Sequence, residues 1–294
     1  ATNNCNVLSS NDGEVRWGGA TGGTRNTVDW WEYRSGINNE NGSQFDGKWE
    51  IDEDTWYNTR GSMASGKYYV YIEDNAGCVV GDTIEIVDQE QDTYYVSSTG
   101  SDSNSGLTES DAFATVAQAF AGACLNDTII ILDGTYSEDS IFITRPVVIG
   151  SKYLLDEDSS HISNTVFSGG NNAAFYVNYV NSQYSDTSSM LIAGFTITDY
   201  SNPNYDQWYG HGGAISVWNS NVKIDHMIIQ NNTARDGGGI GFMGHGFTGV
   251  VSNSIISGNH ADLGGGGIKA ELTGDLWIRN TQIDDNEANE GGGL

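Results

Sequence analysis

Apolar and polar residues alternate in short segments over the last third of the chain, residues 212–294. Ile215 and Val217 would share one face of such a segment, and Ile240 and Phe242 would share the same face of a later one. A repeat of two residues is the period of a β-strand. The pattern therefore predicts a series of short strands separated by glycine-rich turns.

These strands belong to a larger repeat of constant length. Each unit opens on a glycine corner and carries an apolar-x-x-Asn-x-Ala signature, and successive signature asparagines are separated by 27 residues. A fixed period of this size indicates stacked structural repeats. The signature asparagines are Asn232, Asn259 and Asn286, and the glycine corners begin at Gly212, Gly237, Gly265 and Gly291.

A unit of this length predicts a parallel β-helix. Two or three short strands leave no room for a crossover helix, so the simplest arrangement is a coil that climbs ~4.8 Å per turn. Glycine at one corner of every coil permits positive φ and close backbone approach, and asparagine at one turn can stack into a side-chain ladder. A β-sandwich with glycine-rich loops is the alternative, but it does not explain the constant period.

The Gly-Gly-[Ala/Gly]-Ile corner followed by apolar-x-x-Asn also resembles the right-handed β-helix of pectate-lyase-like and polymorphic outer-membrane-protein-type proteins. The resemblance implies a right-handed parallel β-helix over residues 93–294. It implies little about activity, because this scaffold carries adhesins, lyases, hydrolases and phage spikes alike.

The start of this region resembles the N-terminal end of many pectate-lyase-like β-helices. A strand from Thr93 and a Gly/Ser/Asp turn cluster lead into a short amphipathic segment, which the resemblance implies is a capping helix that covers the first coil. We expect Val116, Phe120 and Cys124 to face the core. Polar insertions are predicted at 152–164, 178–189 and 200–211. Because the chain stops at a new glycine corner, we expect the solenoid to continue beyond Leu294.

Residues 1–88 lack the repeat and alternate in short strands, which predicts a small β-sandwich. Residues 66–78 and 82–86, together with Cys5 and the Asn11-Asp12-Gly13 turn, resemble SprB-like repeats. That resemblance implies an Ig-like module from a large surface protein of gliding Bacteroidetes, exported by type IX secretion. It also implies a disulfide between Cys5 and Cys78.

The composition is strongly acidic, with 39 acidic against 12 basic residues and a formal charge of −27. This charge argues against nucleic acid and anionic membrane surfaces as partners. It favours solubility and makes Ca²⁺ a candidate surface ligand, while no other cofactor is predicted. No stretch is long and apolar enough to insert into a bilayer.

The repeat places Asp225, Ser252 and Arg279 at equivalent positions on three successive coils. The carboxylate and the guanidinium would then be about 10 Å apart. Lyases on this scaffold hold calcium with several clustered acids and use Arg or Lys as a base, whereas this row offers a single acid. We interpret these three residues as polar side chains that face solvent by chance rather than as a catalytic site. The five histidines share no spacing suited to a metal site.

Two surfaces are candidates for ligand binding. The insertion at 200–211 is rich in residue types that stack on and hydrogen-bond to sugars, although its aromatic rings could instead fold back against the solenoid. The second candidate is a shallow face on which Lys269 and Glu271 project together and could pair, with Trp218 and Met243 on the coils below. The candidate residues of the insertion are Tyr205, Asp206, Trp208, Tyr209 and His211.

These observations predict a secreted or cell-surface protein without enzymatic activity. In this hypothesis the chain is a fragment of a large adhesin or surface filament, and its β-helix is a rigid stalk or platform that contacts a polysaccharide, a surface or neighbouring domains of the same chain. A carbohydrate-active enzyme, either a polysaccharide lyase or a glycosidase, is the first alternative. A structural filament subunit is the second.

Overall fold

The computed structural model describes residues 91–180, 190–203, 211–245, 248–272 and 275–294, together with the backbone of six strands before residue 91. The chain divides into two compact units, Ala1–Glu90 and Gln91–Leu294. Helices and strands are numbered below in chain order.

The described strands of the first unit are antiparallel. They are β1 (Gly13–Gly18), β2 (Arg34–Asn39), β3 (Gln44–Lys48), β4 (Tyr57–Met63), β5 (Gly66–Glu73) and β6 (Val79–Ile86). Strand β1 pairs with β4, and a four-stranded sheet has the order β3-β2-β5-β6. Strands β5 and β6 form an antiparallel hairpin over the residues that resemble SprB-like repeats. Packing of the two sheets as an Ig-like sandwich stays a prediction. So does the bridge between Cys5 and Cys78, which lie outside the described residues.

The second unit is a parallel β-helix, as predicted, with four sheets along its sides. Sheet 1 contains β7 (Thr93–Val96), β8 (Thr128–Ile131), β11 (Val148–Ser151), β14 (Met190–Ala193), β18 (Val222–Asp225), β22 (Thr248–Ser252) and β26 (Asp275–Arg279). Sheet 2 contains β9 (Gly134–Tyr136), β12 (Thr165–Ser168), β15 (Thr196–Thr198), β19 (Ile228–Gln230), β23 (Ile255–Ser257) and β27 (Gln282–Asp284). Sheet 3 contains β16 (Ser201–Asn202), β20 (Thr233–Ala234), β24 (His260–Gly264) and β28 (Glu287–Glu290). Sheet 4 contains β10 (Ile141–Ile143), β13 (Phe175–Asn178), β17 (Ile215–Trp218), β21 (Ile240–Gly244) and β25 (Ile268–Leu272).

The chain visits sheets 1, 2 and 4 in the same order in each of the first two coils, and from the coil that begins at β14 a strand of sheet 3 is added between sheets 2 and 4. Within each sheet, the strands of successive coils pair in parallel, so the coils stack directly on one another. Short connections with parallel pairing suit a right-handed coil. The hand itself stays a prediction.

Equivalent apolar residues of successive coils stack to form the core. In sheet 4, Ile215 pairs in register with Ile240 and Ile240 with Ile268, and all three are fully buried. In sheet 2, Ile229 lies beside Ile256 in the same way. The alternation in the sequence therefore marks the inward face of these strands. The outer face of sheet 4 is partly covered as well, because the backbone near His211 lies against Gly241.

Each glycine corner is a place where successive backbones meet. Gly237 adopts a φ of 64°, which an L side chain rarely tolerates. The next residue, Gly238, is restricted for a different reason. A Cβ built there would lie 2.4 Å from the carbonyl oxygens of Gly266 and His260. The corner therefore requires glycine at two successive positions. Gly237 is needed for its backbone conformation, and Gly238 is needed because no Cβ fits beside the neighbouring carbonyl oxygens.

The signature asparagines form the predicted ladder. The side-chain oxygen of Asn259 accepts from the backbone and the side-chain amide of Asn232, both at 3.0 Å. Its own amide donates to the carbonyl of Ile229 at 2.9 Å and to the side-chain oxygen of Asn286 at 2.9 Å. Asn232 and Asn259 are buried. At the coil below, Tyr200 occupies the equivalent place and donates its backbone N–H to Asn232. The ladder therefore joins coils by side-chain bonds in addition to the sheets.

A helix covers the start of the solenoid, as predicted. The helices are α1 (Val116–Gly122), α2 (Tyr153–Asp156) and α3 (Ser160–Asn164), and a 3₁₀ turn spans Glu109–Asp111. In α1, Val116 and Phe120 are buried, and Cys124 just beyond the helix is buried too. The carboxylate of Glu138 accepts from the first two helical N–H groups, those of Val116 and Ala117. Burial of that carboxylate raises its pKa.

The opposite end of α1 is held by Arg145. Its Nε donates to the carbonyl of Ala123 at 3.0 Å, and its second guanidinium nitrogen donates to the carbonyl of Phe120. The guanidinium also lies 4.0 Å from the centre of the Phe120 ring. One side chain thus satisfies carbonyls at the helix C-terminus, where cations are favoured.

Replacing Arg145 by alanine is expected to destabilise the cap by about 2 kcal/mol, because hydrogen bonds from a charged donor and a cation–π contact are lost together. Hydrogen exchange of the α1 amides, followed by mass spectrometry, measures the effect. The exposed Gln118 on the same helix is the control, and its change to alanine should alter protection by less than ~0.5 kcal/mol. Equal protection in both variants would show that Arg145 does not hold the cap.

Candidate functional site

The corner between sheets 1 and 2 carries a polar groove on the outside of the solenoid. In each of three coils, one residue turns the chain with positive φ: 50° at His226, 50° at Asn253 and 45° at Asn280. Asparagine is among the residues that tolerate this conformation best. The groove has a volume of about 560 Å³ and is lined by His226, Asn253, Ser254, Ile255, Asn280, Thr281 and Gln282.

Asp225 contacts two of the residues that line the groove, His226 and Asn253. Its carboxylate accepts from Lys223 at 2.8 Å, from the hydroxyl of Ser252 at 2.7 Å and from the amide of Asn253 at 2.9 Å. The imidazole of His226 lies 3.3 Å away. Burial alone would raise the pKa of Asp225, but these donors outweigh it and lower the pKa to about 2. The charge is fully engaged within the protein.

The amide chain continues along the groove, and an aromatic ring stands at one end. Asn280 donates to the side-chain oxygen of Asn253 at 2.7 Å, one coil away. On the other side of His226, the ring of Tyr153 from α2 lies 4.8 Å from the imidazole. The insertion at 152–164 therefore reaches the groove. Gly194 occupies the same corner on the coil below His226, and there a Cβ would lie 3.0 Å from Tyr153.

Changing Asp225 to asparagine is expected to lower the stability of the solenoid by about 1 kcal/mol at pH 7, after allowance for solvent screening of a partly exposed pair. The folded pKa lies below the ordinary value of an aspartate, 3.8. The stabilisation is therefore present above that value and is lost as the pH falls through about 2. Urea unfolding across the acid range measures it. Asp275→Asn, an exposed carboxylate on the same sheet, is the control, and equal pH dependence in both variants would contradict the prediction.

A second polar cluster surrounds the buried carboxylate of Asp236. Its oxygens lie 3.6 Å from His211 Nδ1, 3.7 Å from Arg235 Nε and 3.8 Å from Lys269 Nζ. Asp236 and His211 also face each other across a parallel backbone bridge. Two predicted ligand residues from different parts of the sequence, His211 and Lys269, are therefore brought together by a carboxylate that the sequence reasoning did not identify.

The other predicted ligand residues lie either on sheet 4 or outside the described part of the chain. The indole N–H of Trp218 donates to the hydroxyl of Tyr179 at 3.1 Å. Met243 and Glu271 follow Trp218 in register on the next two coils, as predicted, with Met243 buried and Glu271 exposed. Lys269 points to Asp236. Tyr205, Asp206, Trp208 and Tyr209 lie outside the described residues.

Among the described residues, no helix has the length and apolar character needed to cross a bilayer. Within the same part of the chain, no three His, Cys, Asp or Glu side chains are grouped as metal ligands would be. Comparison with protein-family models, curated proteins and solved structures found no significant match.

Proposed function

We propose that the chain is part of a secreted or cell-surface protein without enzymatic activity, in which a right-handed β-helix is a rigid platform for binding glycans or surfaces. This proposal is supported by the structural roles that account for the repeated residues. The inward positions form the core, the glycines form the corners and the buried asparagines join the coils. The groups left for recognition lie on the insertions and the outer corners.

The surface location rests on the resemblance of residues 66–86 to SprB-like repeats and on the charge of −27. In this proposal an Ig-like module precedes the solenoid in a large adhesin of a Bacteroidetes-like bacterium. An acidic surface keeps such a protein soluble and repels nucleic acid. Neighbouring modules of the same chain would then be its immediate partners.

A disulfide between Cys5 and Cys78 is expected if the protein matures in an oxidising compartment. Closing a loop of that length would contribute roughly 4 kcal/mol in the chain-entropy model. Mass-spectrometric mapping of the non-reduced, alkylated protein should recover a peptide that links the two residues. Recovery of a linked peptide that contains Cys124, or of three alkylated cysteines, would contradict the pairing.

A glycan array tests the platform function. The wild-type chain is expected to bind at least one oligosaccharide, and Trp208→Ala tests the contribution of the insertion at 200–211. Phe142→Ala is the matched control, because Phe142 is an exposed aromatic residue on the outer face of sheet 4. Absence of any bound glycan would refute the platform as a glycan binder and favour a structural filament subunit.

A carbohydrate-active enzyme is the second candidate, and the Asp236 cluster is the observation that favours it. An imidazole held near a carboxylate is suited to general acid–base catalysis, and Lys269 adds a cation that could stabilise negative charge. Acidic and neutral polysaccharides incubated with the protein and Ca²⁺, followed by assays for unsaturated products and reducing ends, test this candidate. Sustained turnover that His211→Ala abolishes would replace the platform proposal.

A further inference from the structure

The insertion at 152–164, between β11 and β12, lies on the outside of the solenoid and is held there mainly by polar contacts. It contains α2 and α3, and neither helix has a buried residue. The side chain of Leu154 covers Gly150 so closely that no Cβ would fit there, but Leu155 on the same helix is 53% exposed. Burial of apolar surface therefore contributes little to the position of the insertion, and each polar contact has a large share in it.

His161 of α3 makes a charged contact between the insertion and the solenoid. Its Nδ1 lies 2.6 Å from Asp133 Oδ1, in the turn between β8 and β9, and its Nε2 lies 3.2 Å from Asp156 Oδ2, at the end of α2. The side chain of His161 is 15% exposed. An ionised carboxylate can only accept, and a neutral imidazole carries a single N–H, so only the imidazolium can donate to both carboxylates at once.

Two further anchors of the insertion do not change charge near neutral pH. The carbonyl of Ile162 accepts from the hydroxyl of Thr196 at 2.8 Å. Lys152, at the base of the insertion, pairs with Glu109 at 3.0 Å, and this carboxylate raises the pKa of the lysine above its ordinary value of 10.5. These anchors therefore hold the insertion equally at every pH in the neutral range.

Three further acids and a second imidazole lie near the insertion. Glu157 and Asp158 connect α2 to α3, and Asp225 lies beside His226, whose ring packs on Tyr153. Imidazole is the side chain whose ordinary pKa makes it change charge between about pH 5 and about pH 8. A pH response of the insertion would therefore come from one of the two imidazoles that contact it, and the imidazole on α3 is the one that lies between two carboxylates.

We propose that His161 is a pH-sensitive latch, which docks the insertion on the solenoid when the imidazole is protonated and releases it when the imidazole is neutral. The latch does not depend on the platform function. The hydrogen bond to Asp133 raises the pKa of His161 above its ordinary value of 6.5, in spite of partial desolvation. The stabilisation is therefore fully present below 6.5 and is lost as the pH rises through the raised value. Release uncovers the outer side of the corner at Gly150 and Gly194, which the insertion covers.

Amide hydrogen exchange of the wild-type chain tests the latch from about pH 6 to about pH 9, with each rate divided by the intrinsic rate at the same pH. Protection of the Glu157 and Ile162 amides, which bond within the insertion, should fall about tenfold over this range. The reason is that one charge-assisted hydrogen bond between partly exposed groups is lost. Protection of the Ile229 amide in the solenoid should stay constant. Constant protection of the insertion, or an NMR titration of the His161 ring with a midpoint at or below the ordinary value, would overturn the proposal.

Two variants change the latch itself. His161→Gln replaces the imidazole by an amide that stays neutral, so the insertion should already be about tenfold less protected at the acid end of the range and should lose its pH dependence. Asp133→Asn keeps the imidazole but removes the negative charge beside it, so the midpoint of the ring titration should fall. An unchanged midpoint in Asp133→Asn would show that this carboxylate does not hold His161.

His226→Asn is the matched control. Asparagine occupies the same corner on the next coil, where Asn253 also has a positive φ, so the change removes the second imidazole and keeps the turn. The variant should retain the pH dependence of the wild type. A pH response that survives His161→Gln, or one that disappears in His226→Asn, would overturn the assignment of the latch to His161. None of the substituted side chains belongs to the core, so circular dichroism should match the wild type in each variant.

Discussion

Replacing Gly238 by alanine should lower the free energy of unfolding of the solenoid by about 3 kcal/mol. The added Cβ would lie 2.4 Å from two backbone oxygens, and backbone atoms cannot rotate away as the end of a flexible side chain can. Relief requires the coils to separate at this corner. Separation would weaken the parallel hydrogen bonds on both sides, including the bond from Gly238 to Gly265. Urea unfolding followed by tryptophan fluorescence measures the loss.

Gly122 at the end of α1 provides the matched control. A Cβ there would make only ordinary contact with the Tyr94 ring at 3.9 Å, so Gly122→Ala should be neutral or stabilise the protein by about 0.5 kcal/mol. The two substitutions are chemically identical and differ only in what the methyl group meets. Equal effects would mean that the glycine corner is not the close backbone contact that defines the coil.

Much of the second unit could be predicted from the repeat, because the contacts that stack the coils are made by the same residue types at fixed intervals along the chain. A stack requires the same residue type at the same corner of every coil, so Gly237, Asn232 and Ile229 each mark a structural role by recurring. The predicted register of Asp225, Ser252 and Arg279 also follows from the period alone and is confirmed by the strand pairing. The capping helix was predictable for a similar reason, since an open core end needs a cover.

The polar sites were predicted less well because they depend on residues that do not repeat. Asp236 precedes a glycine corner and has no counterpart at the next, so nothing in its sequence position indicates that His211 and Lys269 meet there. The alternation of β26 puts Trp277 on the same outer face as Arg279, a signal that the sequence analysis did not use. The reach of Tyr153 from one coil to His226 two coils away likewise depends on the path of an insertion.

Replacing Asn259 by alanine should cost about 3 kcal/mol. The side chain is buried, and it serves two coils at once: it accepts from Asn232 and donates to Ile229 and Asn286. Truncation leaves a backbone N–H and a carbonyl without this partner in a dry interior, and each unsatisfied group costs roughly 1–3 kcal/mol. The loss should appear as a lower urea midpoint and as faster hydrogen exchange at Asn232.

Two further variants show whether the effect belongs to the ladder. Asn286→Ala removes a partly exposed member, whose lost partners can be replaced by water, so it should cost less than half as much. The double variant Asn232→Ala, Asn259→Ala should be less destabilised than the sum of the single changes by about 1 kcal/mol, because both single changes break the same bonds. Strict additivity would mean that each asparagine stabilises only its own coil, and the ladder would then be a coincidence of the repeat rather than a link between coils.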